Sequence, residues 1–187
     1  MTVAKGLTAG YAPMGAVLMS DEIYEGIAGD RADAPVVGHG HTYSAHPVSA
    51  AIGLEVLKLY HEGGLLANGQ ALAPRFAAGL DALRAHPLVG DARSVGLLGA
   101  LELVADKVHK TRFDPALNVP DKIAAAAYAN GVVFRAFGDG VLGFAPALSF
   151  TAGEFDLLFE RVRKTLDDVL ADAGVQRALD AAHAQPA

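Results

Sequence analysis

A chain of 187 residues, 52% of them hydrophobic and 19% charged, can hold one good core or two small ones and reads as an ordinary folded protein. Fifteen basic against twenty-one acidic residues leave a net charge of −6. No basic cluster stands out, so nucleic acid and anionic membranes are poor partners and small molecules better ones. With no cysteine, a disulfide framework and a thiolate metal site are excluded. Neither a signal peptide nor an apolar run of membrane length is present, so a cytoplasmic location is the expectation.

The first twenty residues place one lysine between two short apolar runs. Thr2-Val3-Ala4 is partly β-branched, Gly6 to Pro13 is turn-forming, and Gly15-Ala-Val-Leu-Met19 is a candidate buried strand. Lys5 at the end of a buried strand is costly unless something uses it: desolvation favours the neutral amine, which can form a Schiff base with an aldehyde. The plain alternative is a solvated lysine near a chain terminus.

Further on, Ser20-Asp21-Glu22 reads as a helix start, with Ile23, Tyr24 and Ile27 as its apolar face and Gly29 as its end. Residues 30–43 lack periodicity and read as an exposed loop that closes on His39-Gly-His41-Thr42-Tyr43-Ser44. His39, His41 and His46 have no carboxylate at helical spacing, which argues against a zinc set. From Ser44, Val48, Ile52, Val56 and Leu59 recur at helical spacing as far as Gly63-Gly64, with Pro47 in the first turn. A second helical stripe follows, Leu72, Phe76, Leu80 and Leu83, in which Pro74 implies a late start or a kink. The two helices read as a connector between domains.

Beyond Pro87 the texture is β. Ser94 to Val104 reads as one strand, and Val132 to Phe137 with Val141 to Phe144 as a hairpin around Gly138-Asp139-Gly140. Between them a helix opens at Asn118 or Pro120, turns Ile123, Ala127 and Tyr128 inward and ends at Gly131. Thr151 and Glu154 are spaced as a capping box for a long helix whose apolar stripe runs from Phe155 to Leu170. Its polar face, Arg161, Arg163, Lys164, Asp167 and Asp168, reads as solvated surface, and the Ala- and Gln-rich chain past Gly174 as a fraying end.

Two further positions carry chemistry. His41-Thr42-Tyr43-Ser44, in a glycine-bearing loop ahead of a helix, supplies a hydroxyl, backbone N–H groups and a positive dipole end, as a phosphate needs; an ordinary loop and N-cap is the alternative. Arg135 shares a strand face with Val133 and Phe137 and wants a carboxylate, either a ligand's or a structural acid's.

The run Thr2-Val-Ala-Lys5-Gly6-Leu-Thr-Ala-Gly10-Tyr11-Ala-Pro13-Met-Gly15-Ala resembles the cofactor-lysine segment of class III (omega-type) aminotransferases, pyridoxal-phosphate enzymes of fold type I. Gly38-His-Gly-His41-Thr42-Tyr43-Ser44-Ala-His46-Pro47 is similar to the family loop whose threonine binds the cofactor phosphate of the neighbouring subunit. Phe134-Arg135-Ala-Phe-Gly138-Asp139 is similar to the segment carrying a mobile arginine that grips a substrate carboxylate. The resemblance implies pyridoxal 5'-phosphate as cofactor and a homodimer. Lys5 is then the catalytic and cofactor-binding lysine, Thr42 a cofactor ligand and Arg135 the substrate-binding residue, with Tyr11 and Met14 packing nearby. It further implies transfer of an amino group from an amine or omega-amino acid to a keto acid such as pyruvate, with Lys5 as the base that moves the proton.

The implied fold is α/β, the C-terminal part of a fold type I transferase. Residues 1–62 would be the remainder of the large cofactor domain, and 63–187 the small C-terminal α+β domain. In the family several hundred residues precede the lysine and supply the aspartate at the pyridine nitrogen and the stacked aromatic residue, neither of which has a counterpart in this sequence. The competing expectation is a non-catalytic fragment or an assembly module that completes another polypeptide; a related decarboxylase or aminomutase is a third.

Overall fold

The computed structural model describes residues 1–28 and 40–183, so Gly29 and the expected loop as far as His39 lie outside the described residues. The chain divides into two compact units, Met1–Leu65 and Leu66–Ala187.

In the first unit, β1 (Thr2–Val3) pairs antiparallel with β2 (Ala16–Val17), Thr2 opposite Val17. Helix α1 (Asp21–Ala28) starts where expected, the Ser20 hydroxyl accepting from the Ile23 N–H at 3.4 Å. Helix α2 (Pro47–His61) carries proline in its first turn and is capped by His46, whose Nδ1 accepts from the Ser49 N–H at 3.4 Å. The expected burial of Gly15–Met19 is not found. Val17 is 63% exposed and Leu18 and Met19 nearly half exposed; among the described residues β2 pairs only with the two-residue β1. The α2 stripe is likewise thin: Val56 is buried, but Val48 and Leu59 are exposed.

The second unit opens in α3 (Leu65–Leu83), which continues through Pro74 rather than starting after it. The strand expected over 94–104 is in fact a hairpin, β3 (Val89–Val95) with β4 (Leu98–Leu103). Gly96, at φ +56°, opens its two-residue loop, the position that needs a residue without Cβ. Then come α4 (Val119–Ala129), β5 (Arg135–Ala136), β6 (Val141–Phe144), α5 (Ala152–Leu170) and α6 (Ala173–His183). The sheet is antiparallel, in the order β3-β4-β6-β5.

The sheet's two faces differ in chemistry. Leu101, Leu103, Leu142 and Phe144 join Phe76, Leu80, Phe155 and Leu166 of the helices in one core. On the other face Asp91, Arg93, Glu102 and Arg112 form a ladder of ion pairs. That is the one-sided burial expected of an antiparallel sheet. Helices α3 and α5 meet where Gly79 lets the Phe159 ring lie so close that a Cβ would stand 2.0 Å from it.

The helix ends follow their sequence signals. At α5 the Thr151 N–H and hydroxyl donate to Glu154 Oε2 at 2.7 and 2.9 Å, and the Glu154 N–H returns a bond to Thr151 Oγ1 at 3.3 Å, a complete capping box. Helix α4 ends with Gly131 at φ +70°; the Gly131 N–H reaches Tyr128 O and the Val132 N–H reaches Ala127 O, the pair of bonds of a Schellman motif.

Three expectations fail here. Tyr128 is 78% exposed rather than inward, since Ile123 and Ala127 already define the buried face. The polar face of α5 is not simply solvated: Asp167 meets His86, and Asp168 accepts from Asn130 and Lys164. The chain past Gly174 does not fray at once, because Asp172 accepts from the Gly174 and Val175 N–H groups and α6 buries Val175 and Leu179.

Candidate functional site

Lys5 sits at the exposed start of a three-residue 3-10 turn, Lys5–Leu7, directly after β1. Its φ is +50°, and Ala9 and Gly10 are also left-handed, at +49° and +82°. The turn is closed by the Leu7 N–H on Ala4 O and the Thr8 N–H on Lys5 O, each at 3.2 Å. A non-glycine residue in this region is strained and persists only where its surroundings determine it. Thr8 is one such determinant: 1% exposed, it donates its hydroxyl to Ala12 O at 2.5 Å. Helix α2 is another. Its Gly53 lets Met14 Sδ and Leu7 O approach to within 3.4 and 3.7 Å of where a Cβ would stand, and Tyr60 OH donates to Gly6 O at 2.5 Å.

Thr42 lies at the exposed tip of a turn just ahead of α2. The turn is held from both sides, the Ser44 N–H donating to His41 O at 2.9 Å and the His41 N–H to Ser44 Oγ at 3.0 Å. Ala45, at φ +59°, then redirects the chain into the His46 cap. A cavity of about 630 Å³ is lined by Pro13, Met14 and Gly15 from the end of the lysine loop and by His41, Tyr43 and Ser49 from this turn and α2. Neither Lys5 nor Thr42 lines it; the structure brings together the segments that carry them, not the two side chains. Met14 packs toward α2 as expected, whereas Tyr11 is 82% exposed, left outside by the left-handed bend at Ala9 and Gly10. Among the described residues no group of three histidine, cysteine, aspartate or glutamate side chains could hold a metal.

Arg135 belongs to the second unit, in β5 opposite Gly143. Its guanidinium carbon lies 5.3 Å from the centre of the Phe137 ring, on the expected shared face. Gly143 leaves room for that ring, which comes within 3.0 Å of where a Cβ would stand. The face is exposed, and among the described residues no carboxylate pairs with Arg135. The arginine instead edges a groove of about 490 Å³ whose walls include Phe144, Pro146, Phe150 and Leu158. An unpaired guanidinium beside apolar walls is suited to a ligand with a carboxylate and an apolar body.

Sequence reasoning missed Thr8, Gly53 and Tyr60. Nothing local marks Tyr60, since its partner lies 54 residues away; only the small residue within the α2 stripe hinted at a close approach.

A family model described as aminotransferase class-III matches residues 1–166. The chain is 36% identical to a diaminobutyrate–2-oxoglutarate transaminase of Halomonas elongata, over 95% of this chain and 39% of that one. It is 38% identical to a putrescine–pyruvate aminotransferase of Pseudomonas aeruginosa, over 91% and 36%. Among solved structures, an (S)-enantioselective omega-transaminase from Thermomicrobium roseum matches with TM-score 0.84 at 38% identity, over 90% of this chain and 37% of that one. The PMP-bound form of an aminotransferase from Vibrio fluvialis matches with TM-score 0.84 at 36% identity, over 91% and 38%. The chain thus spans between 30% and 39% of the length of the curated relatives it matches.

Proposed function

The chain belongs to the class-III aminotransferases, with the α/β fold of the C-terminal part of a fold type I transferase, and we propose that it works as part of a pyridoxal-phosphate-dependent transaminase. That enzyme moves an amino group from an amine or omega-amino acid to a keto acid such as pyruvate. Residues 1–62 are its contribution to the large cofactor domain and 63–187 its small domain.

The observation that carries this reading is Lys5, an amine without an ion pair among the described residues, held in a strained turn that two further hydrogen bonds determine. Strain of this kind collects at functional positions. The donor set fits pyridoxal phosphate in two respects: a primary amine for its aldehyde and, in Thr42 before a helix start, a hydroxyl and N–H groups for its phosphate. When bound, the cofactor supplies the electron sink that makes a donor's carbon acidic. Lys5 Nζ takes the proton from that carbon as general base and returns it as general acid. Arg135 binds the carboxylate of the keto acid by charge-assisted hydrogen bonds and orients it.

Two features bear on the assembly. The likeness of the 38–47 loop to the family loop whose threonine binds the neighbouring subunit's cofactor phosphate supports Thr42 serving the site of a second copy and hence a homodimer, as does the absence of both Lys5 and Thr42 from the lining of the cavity their segments share. Exposed apolar side chains in the first unit, Val17, Ile23, Tyr24 and Leu54 among them, support the same association. They equally favour a second reading, an assembly module that completes another polypeptide without catalysing anything itself.

The test is to incubate the chain with pyridoxal phosphate, reduce with borohydride and map the label by mass spectrometry, with Lys5→Ala as control. Selective label on Lys5 is expected; scattered label or none would favour the module.

A further inference from the structure

We propose that Tyr60 is the positioning residue for Lys5: its hydroxyl, donated to Gly6 O, holds the Gly6–Leu7 peptide, the second after the lysine, and so aims the amine. The proposal rests on the reading of Lys5 as the cofactor lysine.

Three observations converge. The first is length and direction: the Tyr60 OH to Gly6 O distance is 2.5 Å, and the bond joins positions 54 residues apart. Gly6 O also accepts the Ala9 N–H at 3.3 Å, so both its lone pairs are engaged, one locally and one by the helix. The second is strain. Lys5 at φ +50° would relax toward the right-handed or extended region if the following peptide were free to rotate, and the Gly6 carbonyl belongs to the peptide group directly after the Lys5–Gly6 link. The third is fit. The Tyr60 oxygen stands 3.5 Å from where a Gly6 Cβ would be, and Gly53, two turns earlier on the same helix, lets Leu7 O and Met14 Sδ come close. Tyrosine suits the task because its ring is rigid and its hydroxyl needs a partner.

Thr8 closes the far side of the loop through Ala12 O and would hold it compact without Tyr60. What Tyr60 adds is orientation. A tilt of one peptide at the root of a long side chain moves its tip by ångströms, enough to cost a reacting amine its alignment.

The test compares the chain with its Tyr60→Phe variant, which keeps the ring and removes one oxygen, and with Tyr24→Phe, which touches none of these groups. Amide hydrogen exchange at Leu7, Thr8 and Ala9 reads the clamp without any cofactor, and label on Lys5 after pyridoxal phosphate and borohydride reads the aim. In Tyr60→Phe the three amides should exchange about fivefold faster, the equivalent of one hydrogen bond's net contribution. Lys5 label should fall by a similar factor while label on Lys58, Lys107 and Lys110 stays unchanged. Unchanged exchange would overturn the clamp; faster exchange with undiminished Lys5 label would overturn the positioning role. Unselective labelling of the parent chain would instead overturn the reading of Lys5, with the exchange result still deciding the clamp.

Discussion

His86 Nε2 and Asp167 Oδ1 lie 3.2 Å apart, joining the turn before β3 to the polar face of α5. His86 is only 4% exposed, and the Leu88 N–H donates to its Nδ1, so in the neutral form Nε2 carries the proton toward Asp167. Burial lowers the His86 pKa below its ordinary value, and Asp167 offsets this only in part. The folded chain therefore binds this proton later than the unfolded chain on acidification. Stability from this site is complete above the ordinary histidine value of 6.5 and declines as pH falls from there toward the lowered one. Proton NMR should find His86 titrating below the ordinary histidine value of 6.5, and lower still in Asp167→Asn; a His86 midpoint at or above 6.5 would contradict this.

Asp106 shows the opposite polarity. It accepts from the His109 ring at 2.7 Å and from the Val108 and His109 N–H groups at 2.6 and 3.1 Å. These bonds, the His109 side chain first, hold its pKa down to about 2, from 3.8. The carboxylate thus stabilises the fold fully above 3.8 and loses that effect as pH falls through about 2. Asp106→Asn should speed amide exchange at Val108 and His109 at neutral pH, with its stability deficit narrowing on acidification and gone below the lowered pKa.

The close pass of α3 and α5 can be tested by one methyl group. In Gly79→Ala the new Cβ would stand 2.0 Å from the Phe159 ring, and such overpacking costs about 1–3 kcal/mol. Gly153, near the start of α5, has nothing within 4 Å of its would-be Cβ. Gly153→Ala should be neutral or stabilise by about 0.5–1 kcal/mol through the unfolded chain. Urea denaturation followed by circular dichroism would compare the two.

If Thr42 serves the site of a second copy, two disabled chains repair each other. Lys5→Ala lacks the amine and Thr42→Ala the phosphate ligand, yet a mixed dimer pairs the intact lysine of one with the intact threonine of the other. Mixing after partial denaturation should restore borohydride-fixed label to Lys5 of the Thr42→Ala chain. Equal labelling before and after mixing would indicate that both residues act within one chain.

Legibility in the sequence followed the range of the interaction. The α5 capping box, Gly131 and the turn at Gly138-Asp139-Gly140 are set by neighbours within five residues, and each was readable as such. The β3–β4 hairpin was not, because Asp91-Ala-Arg-Ser94 has a charged face and hid the first strand, leaving only Gly96 as a cue. Helix α6 was hidden in an Ala-rich stretch whose two buried side chains, Val175 and Leu179, make one contact face a turn apart. At the candidate site, Lys5, Thr42 and Arg135 are the positions that residue type and motif single out. Tyr60 was not, since a hydroxyl on a half-exposed helix position is silent until the fold brings a carbonyl to it.

The sheet of the second unit also bears on how the chain meets others of its kind. Its outer strands are β5, only two residues long, and β3, whose pairing slips between Val89 and Asp91 and which carries Asp91 and Arg93 outward. A short strand and a bulged, charged one give an incoming backbone little to zip onto. Self-association of this protein should accordingly run through side-chain surfaces and remain reversible, and seeded fibril growth from the second unit's sheet is not expected.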